Sequence, residues 1–285
     1  MSAPAAPALP ASLVIEPDGA AARLRFALRD VCTMTRRYVL RSRRQADVIF
    51  GSVLVPVIFV VLFGYVFGSA ISVPGGHYRT YLLSGLFAQG TVFASATVAV
   101  AIATDMSEGV IDRMRTLPIT RSAVVAGRAL ANLIAGLPSL AVMIVCALLV
   151  GWRAEAGFGR AVLGFLLLEL FGFAMGWIGV WLGLVARSPQ SADTLSMVPA
   201  FLLGFISNVF VPAQGLPSWL RPVAEWNPLS TVVAAARQLF GSGQGGAVPH
   251  VWSLQHPVPT TLGMSLALLA IFIPLSVRLY TRRSR

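Results

Sequence analysis

The sequence has no lysine: all 22 of its basic residues are arginine. A P-loop needs Gly-x-x-x-x-Gly-Lys-Ser/Thr, with the lysine on the transferred phosphate. The chain therefore cannot hydrolyse a nucleoside triphosphate by that route. Charge of either sign is scarce, at 12% of residues, where a soluble domain carries about 25%. The two cysteines, Cys32 and Cys146, lie in an arginine-rich segment and in an apolar run. Neither is placed for a mutual disulfide, a metal site or a redox pair. His77, His250 and His256 lack zinc-site spacing. No Ser/His/Asp, His-x-x-x-Glu or paired-carboxylate arrangement lies in or beside the apolar runs, which argues against a membrane enzyme. Residues 1–20 are rich in Ala and Pro, with no apolar core of signal-peptide type, and read as a disordered cytoplasmic tail.

What the sequence does have is apolar length, with 56% hydrophobic residues. Uncharged or nearly uncharged runs occupy 48–71, 80–104, 129–152, 161–186, 194–211 and 258–277. Each can cover the ~30 Å hydrocarbon core of a bilayer at 1.5 Å per residue. The pattern predicts an all-α integral membrane protein whose transmembrane domain, 48–278, has six transmembrane helices. Apolar character continues past the fifth run to Leu220, broken by Pro199, Pro212 and Pro217. A span ending near Val211 and a short helix dipping into the outer leaflet account for it.

Arginine sets the orientation. Seventeen arginines fall before the first run, in the loops after the second and fourth, and after the sixth; five fall on the other side. The positive-inside rule then places both termini in the cytoplasm, the last as a tail over 279–285. The net charge of +11 is spread along membrane boundaries and forms no single basic face, so nucleic acid is not the expected partner. Over 21–47, Leu24, Leu28, Val31, Thr35 and Tyr38 recur at helical spacing with arginines on the other faces. That is an amphipathic helix suited to the cytoplasmic leaflet and its anionic lipids.

The cytoplasmic loop 105–121 carries Asp105, Glu108 and Asp112 first, then Arg113, Arg115 and Arg121. Acid before base suits the macrodipole of a short helix, and Glu108 or Asp112 can pair with Arg113 or Arg115 at helical spacing. Pro118 ends that helix or turns the chain back. A polar, well-defined element projecting from the membrane suits a docking partner better than a plain connector.

Residues 108–128, EGVIDRMRTLPITRSAVVAGR, resemble the signature of type-2 ABC transporter permeases, in particular the daunorubicin/doxorubicin-resistance branch. PVIFVVLFGYVFGSAI, YRTYLLSGLFAQG and SNVFVPAQGLPSWLRPVAEWNPLSTVVAAARQLF agree, so the likeness covers about residues 36–280. The resemblance implies an exporter in a bacterial cell membrane, with two permeases and two ATP-hydrolysing subunits. ATP and magnesium would belong to those partner subunits, with no cofactor in this chain. It implies that 105–121 is a coupling helix docking in the ATPase, with Glu108, Gly109, Arg113, Leu117, Pro118 and Arg121 matching the motif. It also implies that 212–240 is an outer re-entrant segment containing Pro212, Pro217, Trp219, Asn227, Pro228 and Arg237. A single permease sequence of this length points to a homodimer.

Glu169 is the one ionisable residue well inside a run. A charge at the bilayer centre costs roughly 2.5–3.5 kcal/mol on insertion scales, so it faces protein or a wet cavity. It reads either as a partner for a cationic substrate or as a structural glutamate. Gln89 and Asn208 read as interhelical hydrogen bonds, or as part of a substrate path with Phe205. Phe59, Phe63, Phe87, Phe93 and Phe201 are further candidates for a path taken by flat apolar molecules. Gly172, Gly176, Gly179 and Gly183 have the spacing of close helix packing, and Trp152 and Trp219 suit the outer interface. The reading these features favour is export of an amphipathic compound. The alternatives are the same machinery exporting a lipid, glycan or other envelope precursor, and an ion-coupled carrier. The carrier would need several intramembrane acids where this chain has Glu169 alone.

Overall fold

The computed structural model describes residues 20–42, 54, 57–62, 78–110, 121–210, 216–242 and 251–283. These residues are helical apart from short turns, with no strand among them. The helices are α1 (Ala20–Ser42), α2 (Tyr78–Ser107), α3 (Arg121–Leu149), α4 (Phe158–Val185), α5 (Pro189–Phe205), α6 (Arg221–Trp226), α7 (Pro228–Phe240), α8 (Trp252–Gln255) and α9 (Pro257–Arg283). Most of the first apolar run lies outside the described residues, as does the tail before α1.

Within α2, α3, α4 and α9, the stretches Thr80–Ser107, Ala123–Leu149, Phe158–Val185 and Pro257–Arg282 are long and apolar enough to cross a membrane. At 1.5 Å per residue each is about 39–42 Å long, more than the hydrocarbon core requires. The all-α membrane architecture thus follows from run length.

Helix α2 lies at the centre, against α4, α5 and α7; α4 also packs on α9 and α3, and α1 lies along α3. Lipid tails are as apolar as leucine, so this packing depends on close approach and internal hydrogen bonds more than on hydrophobic burial. The approach is closest between α2 and α4, where Gly179 and Gly183 sit against the Ser95 and Ala99 carbonyls. Gly172 meets Thr91, whereas Gly176 has open space beside it, so one pair of the small-residue pattern serves the contact fully. Helices α3 and α9 turn aliphatic side chains outward: Ile134, Leu137 and Val145 on one, Leu262, Leu266 and Ile271 on the other.

Three of the boundaries that depart from the apolar runs have a visible cause in the packing. Helix α3 starts at Arg121, eight residues before its run, because α1 covers its first turns and Gly127 lies against Met34. Trp152 does not face an interface: it folds back, its backbone N–H donating to the Ala147 carbonyl, and its ring is buried among Phe87, Phe165 and Phe240. Helix α5 ends at Phe205 and gives way to a turn over 206–210. That turn is held by side chains of α2 and α7 and by Asn227 between α6 and α7.

Candidate functional site

Two polar centres lie at opposite ends of α2, Tyr81 near one and Asp105 near the other, about 36 Å apart at 1.5 Å per residue. The first is built around the end of α5. A helix C-terminus leaves four carbonyls unpaired, and without water each must find another donor. Asn227 meets part of this need. Its Nδ2 donates to the carbonyls of Leu203 and Ile206, at 2.8 and 2.6 Å, while its Oδ1 caps α7 by accepting from the Leu229 N–H at 2.9 Å. Pro228 follows at the first position of α7, where its missing N–H costs nothing.

Ser207 Oγ donates to the Gly204 carbonyl and the Ile206 N–H to that of Leu202. Arg237, on α7 and 1% exposed, serves the turn that follows and α2. Its Nε and Nη2 donate to the Tyr81 carbonyl at 3.2 and 3.1 Å, and Nη2 also reaches the carbonyls of Asn208 and Val209 at 2.9 and 3.2 Å. The guanidinium lies over the Tyr81 ring, 3.4 Å from its centroid. The Tyr81 hydroxyl donates to the Asn208 carbonyl, the Tyr78 hydroxyl to the Phe210 carbonyl, and the Asn208 N–H to Ser230 Oγ. One forked cation and two phenols thus replace the missing helical hydrogen bonds of 206–210. Pro217 and Trp219 lie exposed in the approach to α6, and Pro212 falls outside the described residues.

The second centre gathers α1, α2, α3 and α9. Asp105, in the last turns of α2 and buried, accepts from Arg128 Nη1 of α3 at 3.4 Å. That is longer than the ~2.7–2.9 Å of a tight charge-assisted bond. The Arg128 guanidinium carbon also lies 4.8 Å from the ring centroid of Tyr38 on α1. Burial first, and then the Asp105 carboxylate, push the Tyr38 phenol up to about 12, so it stays neutral across the physiological range. Tyr280 of α9 is buried in the same cluster. Helix α2 ends just beyond, at Gly109, whose φ of 65° is the left-handed conformation that glycine adopts freely. Glu108 is exposed beside it. Asp112, Arg113, Arg115, Leu117 and Pro118 lie outside the described residues, and Arg121 is described by its backbone alone.

A line of aromatic rings runs from the middle of α2 to the 206–210 turn. Phe93 of α2 meets Phe201 of α5 at 4.9 Å between centroids, Phe201 stacks on Phe205 at 6.3 Å, Phe205 on Phe210 at 5.3 Å, and Phe210 meets Phe59 at 6.4 Å. Phe201 and Phe205 are exposed. Gln89, one turn before Phe93, donates its amide to the Ala200 carbonyl at 3.3 Å, joining α2 to α5. Its Oε1, like Asn208 Oδ1, is buried without a hydrogen-bond partner among the described residues. Phe87 belongs to the separate cluster around Trp152, and Phe63 lies outside the described residues. Glu169, midway along α4, is half-buried and has no hydrogen-bond or ionic partner among the described residues.

The pattern of the ABC-2 type transporter family matches residues 29–240, from within α1 to the end of α7. The chain belongs to that family. This permease is 34% identical over 232 residues to the daunorubicin resistance ABC transporter permease protein DrrB1 of Streptomyces coeruleorubidus, covering 81% of this chain and 79% of that one. It is 26% identical over 281 residues to the doxorubicin resistance ABC transporter permease protein DrrB of Mycobacterium tuberculosis, covering 95% and 96%. It is 25% identical over 225 residues to the probable doxorubicin resistance permease DrrC of the same organism, covering 79% and 80%.

The sequence pointed to Asn227 and Arg237 as motif positions; in the structure Asn227 bonds the end of α5 and Arg237 the 206–210 turn after it. Tyr78, Tyr81 and Ser230 fall within stretches that carry the resemblance, yet the sequence assigned none of them a role. Nor did it point to Arg128 with Tyr38, which are 90 positions apart; their signal was a tyrosine on the apolar stripe of a basic helix.

Proposed function

We propose that the chain is the membrane-spanning subunit of an ATP-driven exporter and carries a hydrophobic or amphipathic compound out of a bacterial cell. The observation behind this reading is the family match across 29–240, in a chain without the lysine of a P-loop. A partner subunit then holds ATP and magnesium and hydrolyses the nucleotide. It docks on 105–121, and its closure moves α2 and α3, the two helices that loop connects. The positive-inside count puts this loop, α1 and both termini in the cytoplasm, and α6 and α7 on the outer side. A second copy of the chain, as a homodimer, completes the path. The drug-resistance names of the relatives favour a drug or secondary metabolite over an envelope precursor as cargo. The aromatic line from Phe93 to Phe59 supports a flat apolar molecule, because the exposed faces of α3 and α9 are aliphatic where this one is stacked rings.

Reversing charge at two loop positions, Glu108→Arg with Arg113→Glu, is expected to leave membrane insertion unchanged and to cut ATP-dependent export at least tenfold. Export into inverted vesicles, beside immunoblots of the membrane fraction, measures both. Normal export by this double variant removes the loop from the mechanism.

Glu169, half-buried and with no hydrogen-bond or ionic partner among the described residues, favours a cationic cargo within the membrane. Glu169→Gln is expected to lower export of a cationic dye roughly tenfold relative to a neutral dye, about 1.4 kcal/mol of selectivity. An unchanged cation-to-neutral ratio would make Glu169 a structural residue.

A further inference from the structure

The two stems of the 105–121 loop are joined to each other and to α1 at one place. The loop leaves the membrane helices after Asp105 and returns at Arg121, and the first charged side chain after its return is Arg128. Asp105 and Arg128 meet at 3.4 Å, with the Asp105 side chain 4% exposed. On its other side Arg128 meets the Tyr38 ring at 4.8 Å. Helix α1 is seated on α3 over the same turns: Met34 lies against Gly127, and the Thr35 hydroxyl reaches the Gly127 carbonyl at 3.4 Å. One guanidinium therefore touches all three helices that would feel a force on the loop. Each contact is of a kind that breaks and re-forms without loss of the fold. The ion pair is long for a charge-assisted bond, and a cation over a ring slides more freely than a forked hydrogen bond.

We propose that Arg128 and Tyr38 are positioning residues of the coupling step. Arg128 clasps the two stems of the loop through Asp105, and Tyr38 ties α1 to that clasp, so that a push on the loop moves α1, α2 and α3 together. The proposal rests on the reading of 105–121 as the element that docks the ATPase. It adds that coupling requires residues which need not touch the ATPase. Without the clasp, the partner still binds and still turns over, but its closure bends the loop on loose stems.

The test uses the full complex of permease and ATPase in proteoliposomes and reads co-purification, ATP turnover and molecules exported per ATP. Tyr38→Leu and Arg128→Gln are expected to assemble with the ATPase and hydrolyse ATP within twofold of the parent, while export per ATP falls at least fivefold. Tyr38→Phe keeps the ring and is expected to retain the parent ratio, which a general packing defect would not distinguish from Tyr38→Leu. If Arg128→Gln does not accumulate, Tyr38→Leu against Tyr38→Phe carries the test alone, since both leave the ion pair in place. Export per ATP within twofold of the parent in Tyr38→Leu would overturn the proposal. The Glu108/Arg113 reversal in the same assay separates the two levels. If the reversal uncouples and the clasp variants do not, the clasp is wrong and the loop reading stands. If the reversal also leaves coupling intact, both fall.

Discussion

Replacing Arg237 with methionine is expected to remove most of the folded protein from the membrane. Methionine fills much of the space, so the effect comes from lost donors. Arg237 supplies hydrogen bonds to the carbonyls of Tyr81, Asn208 and Val209 in a place that is 1% exposed. A buried acceptor left unpaired costs about 1–3 kcal/mol. Replacing a buried ion pair by apolar groups can be neutral when both partners go together. Here the partners are backbone carbonyls, which no substitution removes, so that escape is closed. Lysine is expected to do little better, because a compact ammonium cannot reproduce the fork that reaches α2 and the 206–210 turn at once. Detergent-solubilised protein should show a lower melting midpoint and a smaller monodisperse peak for both variants. Arg153→Met, at an exposed position, should behave as the parent. A parental melting curve for Arg237→Met would mean that the turn is held by Asn227 and the tyrosines alone.

Gly179→Ala is expected to be nearly as damaging, from a single added methyl group. A Cβ there would overlap the Ser95 carbonyl oxygen, and one at Gly183 would overlap that of Ala99. Both obstacles are backbone atoms of α2 and cannot rotate away, so α2 and α4 must move apart along their tightest contact. Overpacking typically costs about 1–3 kcal/mol, and here it also loosens the central helix pair on which α5, α7 and α9 rest. Gly176→Ala serves as the internal control, since nothing lies within 4 Å of its added Cβ. Size-exclusion profiles of the two variants should differ sharply, the Gly176 variant matching the parent. Equal behaviour of the pair would show that the α2–α4 contact has slack.

The long helices were legible because a run of apolar residues has one cheap solution in lipid, a helix that pairs its own backbone. Legibility failed where protein, and not lipid, covers the chain. Residues 121–128 look like loop because Arg121 and Arg128 interrupt the apolar pattern, yet α1 covers their neighbours and the helix begins there. The end of α5 was misplaced for the opposite reason. Residues 206–210 are apolar enough to continue a span, but Tyr78, Tyr81 and Arg237 offer their carbonyls better partners than another helical turn would. Those donors lie more than 120 and nearly 30 residues away, a distance no local pattern reports. At the other centre, Asp105 was read as part of the docking loop. The structure buries it against Arg128, so the two acids of the loop entrance differ: Asp105 faces inward and Glu108 faces out.

On the proposed function, this permease moves its cargo on a partner's ATP. The most direct measurement is uptake of a flat, cationic fluorescent dye by proteoliposomes holding the chain with a partner ATPase that co-purifies with it, each subunit also being tested alone. Uptake is expected only with both chains, ATP and magnesium, and is expected to vanish with the Glu108/Arg113 reversal. Uptake by the chain alone, driven by an imposed proton or sodium gradient and lost in Glu169→Gln, would contradict it.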